Sequence, residues 1–221
     1  MSGLLANIQW AELAVALGET LAMVLSSTLF ATLVGLPLGV LLVLTGPDHL
    51  LPRPAAHRLL SAAVNALRST PFIILMILCT PLTKALVGTS LGPRAAVVPL
   101  VVGAAPFFAR LVEVALREVE RGAIDMGLSC GAGTWQLIWH ILLPEARAGI
   151  LAGVTITAVA LVGYSAMAGV VGGGGLGDLA IRYGYQRFQT DVMLLTTAVL
   201  VVLVQIFQGI GDTLVKHFSR K

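Results

Sequence analysis

Charge is scarce in this sequence. Asp, Glu, Lys and Arg make up only 11% of its 221 residues, against about 25% in a soluble domain. That excludes an ordinary water-soluble domain. Cysteine is scarcer still. Cys79 and Cys130 are the two present, and they form neither a CxxC nor a metal-ligand spacing. Both read as small hydrophobes. His49, His57, His140 and His217 are scattered through loops and tail and read as solvated or interfacial. There is no Walker A string, no paired acid and base, and no His/Cys cluster, so no chemistry, metal or bound cofactor is expected of this chain. The opening residues, MSGLLANIQWAEL, lack a positive n-region and a small-residue cleavage site, so no signal peptide is expected.

What the chain has in quantity is apolar length. Hydrophobic residues make up 57% of it, and its mean hydropathy is +0.93. A spanning helix needs about 20 apolar residues. The sequence then predicts an all-α membrane protein with five spans, at about 17–44, 59–82, 95–116, 149–171 and 192–215. Residues 1–221 read as a single transmembrane domain with no room for a soluble catalytic one. Gly35 and Gly39, and again Gly149 and Gly153, are four apart and suit close helix packing. Pro37 is placed to kink the first span. Arg68 lies within the second span, where it must either anchor at an interface or join an internal ion pair. Arg110 and Glu113 are three apart and predict a pair on one helix face. Gln205 and Gln208 are expected to face protein rather than lipid.

The string GGGGLG at 172–177 invites a phosphate-loop reading. That motif needs a strand before it and a helix after it, and neither is indicated. Glycine this dense instead predicts backbone that bends or packs tightly around a pathway. The following stretch to Asp191 is polar, with Tyr183, Tyr185 and Phe188 suited to an interface belt.

Five spans put the termini on opposite sides. Basic residues concentrate in the cytoplasm. With the C-terminus inside, Arg53, Arg58, Arg68, Arg110, Arg117, Arg121, Arg147, Lys216, Arg220 and Lys221 are cytoplasmic, and Lys84, Arg94, Arg182 and Arg187 are outside. Ten against four of the 14 favours N-out, C-in. The longest stretch that cannot sit in lipid, 117–144, is then a cytoplasmic loop. It reads as one short helix to Cys130, a break at Gly131 and Gly133, and a second helix capped by Thr134. On that helix Trp135, Ile138 and Trp139, with Leu142 a turn later, predict one apolar face. Pro144 is expected to end it. Amphipathicity alone leaves two uses open: a groove in a partner protein, or the membrane surface and the spans.

Spacing points to the first. Asp125, Gly131 six residues on, Ile141, and then Leu143-Pro144 resemble the EAA loop of ABC importer permeases, a cytoplasmic coupling helix-turn-helix. Asp125, Met126 and Gly127 stand where Glu-Ala-Ala is usual. The likeness covers nearly the whole chain and is closest to the methionine-importing permeases of the type I importers. It rests on NALRSTPFIIL (65–75), VGTSLG (87–92), VPLVVGAAPFFAR (98–110) and LVGYSAMAGVVGGGGLG (161–177).

The resemblance implies a homodimer in the bacterial inner membrane, with one pathway on its two-fold axis. It implies two cytoplasmic ATPase subunits that use ATP and Mg, and a solute-binding lipoprotein outside. Nucleic acid has no part in it. The coupling residues it implies are Asp125, Gly131, Trp135, Ile138, Trp139, Ile141, Leu143 and Pro144. A methionine gate falls on Met167, beside Tyr164 and Ser165. From composition alone Met167 is adaptable core filler. Other solutes, such as a different amino acid or a betaine, stay open. So do an ATP-independent channel or carrier, which usually needs ionisable groups at mid-span, and a plain membrane anchor, which would not need glycine-rich spans.

Overall fold

The computed structural model describes residues 9–47 and 50–219. Asp48, His49, Arg220 and Lys221 lie outside them. The described chain is helical throughout, with no strand among the described residues. Eleven helices follow in order: α1 Trp10–Leu44, α2 Pro54–Ser69, α3 Phe72–Leu78, α4 Thr80–Val87, α5 Pro93–Arg117, α6 Arg121–Ser129, α7 Thr134–Leu137, α8 Leu143–Glu145, α9 Arg147–Val170, α10 Gly175–Leu179 and α11 Thr190–Ser219. Two π-helical turns are interposed, Ile138–Leu142 and Ala180–Tyr185.

Helix α5 is the axis of the fold, and α1 and α9 pack along it. Glycine makes both crossings close. A Cβ on Gly35 would lie 2.7 Å from the Ala105 carbonyl oxygen, and one on Gly39 would lie 2.6 Å from that of Ala109. On the other side, a Cβ on Gly149 would meet the Ala115 methyl at 2.8 Å. In lipid there is no hydrophobic drive between helices, so this contact of backbones is what holds them. Phe108, fully buried, lies between the two crossings.

Four helices, α1, α5, α9 and α11, are long and apolar enough to cross a membrane. The fifth expected span, 59–82, is not one helix. Helices α2 and α3 meet at 106°, and α4 follows Cys79. The cause is Pro71. It pushes Thr70 out of the helical region to φ −79°, ψ 126°, as proline does to the residue before it. The fifth crossing therefore exists only as a bent one.

Other bounds shift as well. Helix α1 begins at Trp10 rather than Leu17 because its acidic residues have partners. The Tyr183 hydroxyl donates to Glu12 at 3.1 Å, and the Gly175 N–H donates to Glu19 at 2.8 Å. Despite Pro37, α1 runs unbroken to Leu44. His57, expected to be solvated or interfacial, is half-buried, with Nδ1 3.1 Å from the Leu42 carbonyl oxygen.

The expected pair on α5 is present and extended. Glu113 is 3% exposed and bridges two guanidiniums, Arg110 and Arg117, each at 2.6 Å. Arg110 also donates to Asn65 at 2.9 Å and to the Ser61 hydroxyl. These bonds tie the amphipathic α2 to α5. A buried carboxylate needs such partners to be tolerated.

Helix α11 is the least enclosed of the long helices. Val192, Thr196, Leu203 and Gly211 are its buried residues. Gln205 and Gln208, expected against protein, are both exposed, and Gln208 borders a cleft between α11 and Ala152, Thr155, Ile156 and Val159 of α9.

Candidate functional site

The 117–144 loop forms a compact hook. Helix α6 ends in a left-handed residue, Gly131, at φ +79°. Its own N–H donates to Leu128 at 2.9 Å, and the Ala132 N–H donates back to Gly127 at 3.1 Å. This paired closure is the Schellman arrangement, which a residue with a Cβ adopts only under strain. Gly131 therefore sets the angle between the two short helices. Gly133, not Thr134, is the N-cap of α7. Its N–H donates to the Gln136 side chain at 2.9 Å. Gly127 lets the arms close, because a Cβ there would lie 2.5 Å from Ile141 Cδ1 and 2.6 Å from Leu137 Cδ2.

Two expectations about the second helix are corrected. Pro144 does not end it, since α8 runs through Pro144 to Glu145. The chain widens into a π turn just before, where the Leu143 N–H reaches the Ile138 carbonyl. A wider turn accommodates both the missing proline N–H and the ring. Nor do Trp135, Ile138, Trp139 and Leu142 share one face. Trp135 is 69% and Trp139 53% exposed, whereas Ile138 and Leu142 are buried in one apolar cluster with Val43, Phe108 and Val112. The hook thus has an inner side gripping the spans and an outer side bearing two indoles. Their rings meet edge to face at 5.7 Å.

Asp125 is exposed on the same hook, Ile141 and Leu143 are half-buried, and Pro144 is exposed. Met126, named above only as a departure from the usual motif, is 66% exposed, and Leu128, not singled out in the sequence, is exposed too. Both are long apolar side chains left exposed on a short helix that buries only Gly127.

The second cluster, on α9, is brought only partly together. Met167 is exposed on a face shared with Ile156, Gly163 and Val170. Tyr164 turns toward the bent span and stacks on Phe72, with ring centroids 4.7 Å apart and planes within 7°. Ser165 points inward, 2% exposed, with its hydroxyl donating to the Val162 carbonyl at 2.8 Å. Met167 and Ser165 therefore lie on different faces.

The glycine string closes the far end of α9. Gly172, Gly174 and Gly175 have φ of 85°, 77° and 78°. They turn the chain so that α10 lies back against α9, backbone to backbone. A helix does follow the string, contrary to expectation, but its first donors are taken. Gly175 N–H goes to Glu19, and Leu176 N–H goes to Thr20 at 2.9 Å. No phosphate could use them. The polar link beyond is helical as far as Tyr185, and Tyr185 and Phe188 are exposed.

This arrangement has close counterparts. Residues 35–221 match the family described as "Binding-protein-dependent transport system inner membrane component". A Vibrio cholerae protein named as a probable D-methionine transport system permease protein is 50% identical over 92% of this chain and 90% of its own length. The methionine import system permease protein of Bacillus subtilis is 46% identical over 82% of each chain. Among solved structures, a chain of the MetNI methionine ABC transporter, in a study of its inward-facing conformations, superposes with a TM-score of 0.94. It is 45% identical, over 96% of this chain and 98% of that one. An amino acid ABC transporter with a TM-score of 0.74 is only 16% identical and speaks for the fold alone. This chain is a multi-pass membrane protein belonging to the family of binding-protein-dependent transport system inner membrane components.

Proposed function

We propose that this chain is the membrane-spanning permease subunit of an ATP-driven importer for methionine or a close amino-acid analogue. The observation that carries the reading is the near-complete superposition on a methionine ABC transporter chain at 45% identity. In this reading two copies associate, so that the exposed faces of α9 and α11, with Met167, Gln205 and Gln208, gain neighbours. The hook with Trp135 and Trp139 faces the cytoplasm, the N-terminus lies outside and the C-terminus inside. One ATPase subunit grips each hook and uses ATP and Mg. A lipoprotein delivers solute from outside. ATP binding draws the ATPases together. The buried side of each hook, Ile138 and Leu142, transmits the pull into α1 and α5, and the pathway opens outward. Hydrolysis reverses the motion. No covalent chemistry is asked of this chain.

Proteoliposomes holding the chain with its ATPase and loaded lipoprotein test the reading. They are expected to accumulate labelled methionine only with ATP. Met167→Ala removes an exposed side chain from the proposed gate and leaves the packed side of α9 untouched. It is expected to raise solute-independent ATPase activity or methionine leak. If neither rises, Met167 is not the gate. If the unaltered chain accumulates no methionine, the substrate reading fails.

A further inference from the structure

A cavity of about 250 Å³ lies in the angle of the bent span. Arg68, Thr70 and Phe72 line it from that span, Gly103 and Phe107 from α5, and Tyr164 from α9. Pro71 creates it. The chain turn at Thr70 leaves an open corner that a straight helix would fill. Gly103 widens it, since it carries no side chain where a Cβ would stand 3.3 Å from Leu75. Gly103 and Phe107 lie near the middle of α5, which runs from Pro93 to Arg117. Arg68 therefore lies level with the middle of α5, at mid-depth, although the charge count placed it with the cytoplasmic residues. It makes no ion pair among the described residues.

The lining contains one cation and no carboxylate. An ionisable side chain at mid-depth is costly unless a partner or water meets it. Arginine presents a fork of donors that matches a carboxylate. Beside it, Phe72 and Tyr164 form a stacked aromatic wall, which suits an apolar side chain. The Thr70 hydroxyl donates to Ala66 at 3.0 Å and keeps lone pairs free to accept from an ammonium. The volume equals roughly eight waters at ~30 Å³ each, the scale of one small amino acid.

We propose that this cavity is a transient subsite for the transported amino acid, with its carboxylate on Arg68 and its apolar side chain against Phe72 and Tyr164. The proposal rests on the import reading above and adds the place where the solute pauses. Binding in the corner of a broken helix at mid-depth is physically favoured, because irregular backbone there borders a cavity rather than lipid.

The test uses the assembled transporter in vesicles, with Cys79→Ser and Cys130→Ser and one new thiol, Leu67→Cys, at the rim. The rate of maleimide labelling at that thiol is read against added methionine or methioninol, which has a hydroxymethyl group in place of the carboxylate. Methionine is expected to slow labelling, and methioninol to do so only at about tenfold or higher concentration. Arg68→Gln is expected to raise the half-protecting methionine concentration by about tenfold or more, and Arg68→Lys by less, because charge is kept and only the fork is lost. Equal protection by the two compounds, or unchanged protection in Arg68→Gln, overturns the subsite. If Arg68→Gln fails to insert, the methioninol comparison on the Arg68 chain decides. Labelled-methionine uptake in the same vesicles separates the two ideas. Uptake with no carboxylate-dependent protection sinks the subsite and spares the importer, whereas absent uptake sinks the importer.

Discussion

A chain carrying Trp135→Ala and Trp139→Ala together is expected to reach the membrane in normal amount and to lose nearly all ATP-driven uptake. Both indoles are more than half exposed, at 69% and 53%, so truncation leaves the packed core intact. Folding loses at most their edge-to-face contact, roughly 0.5–1.5 kcal/mol. A partner groove loses far more. Buried aromatic anchors at an interface typically cost 2 kcal/mol or more each on truncation. Two such losses weaken ATPase binding by about a thousandfold. Uptake per inserted chain and the amount of ATPase retained by the membranes check this. Ile138→Ala is the contrasting variant, because it empties a buried position at a typical cost of about 2–5 kcal/mol. It should lower the amount of inserted protein itself. Normal uptake in the double tryptophan variant would mean that the outer side of the hook is not gripped.

Gly177→Val is expected to remove most of the protein from the membrane. A Cβ on Gly177 would lie 2.3 Å from the Ala166 carbonyl oxygen and 2.5 Å from its Cα. From the other side, a Cβ on Gly169 would lie 2.3 Å from the Asp178 nitrogen. The nearest neighbours at both glycines are backbone atoms, so no side chain can swing aside. Relief requires α10 to leave α9, which would pull Gly175 and Leu176 from their acceptors on α1. Overpacking of this kind costs about 1–3 kcal/mol or more. Gly163→Ala is the control, since nothing lies within 4 Å of a Cβ there. Accumulation measured by immunoblot of membranes should fall for the first and hold for the second. Wild-type accumulation of Gly177→Val would show that the two backbones are free to part.

The features legible in sequence were those with a strong local cause. Gly35, Gly39, Gly149 and Gly153 named the helix crossings because only close backbones reward such spacing. Arg110 and Glu113 named their pair because i and i+3 positions meet on any helix. Gly131 named the hook, since its left-handed φ is a property of one residue. The features that were not legible depend on how turns join. Ser69-Thr70-Pro71 was visible, yet a bend of 106° and the cavity inside it follow from where α5 and α9 stand. Ile138 and Trp139 are adjacent, about 100° apart around a helix, so one is buried and the other exposed, and the π turn at Ile138–Leu142 departs from the regular period. Ser165 and Met167 are close in sequence, yet two positions apart on a helix of about 3.6 residues per turn is nearly opposite, so one is buried and the other exposed. The start of α1 at Trp10 was not legible either, because Glu12 and Glu19 are held by distant groups. Their partners, Tyr183 and Gly175, are more than 150 residues away in sequence.

The account depends on a separate ATPase holding the tryptophan-bearing side of the hook. Affinity purification of the tagged chain from its own membranes in mild detergent tests this most directly. The predicted result is a nucleotide-hydrolysing subunit that elutes with it in equal amount and is lost from the Trp135→Ala, Trp139→Ala chain. A chain that elutes without any such subunit, in membranes that contain one, would contradict it.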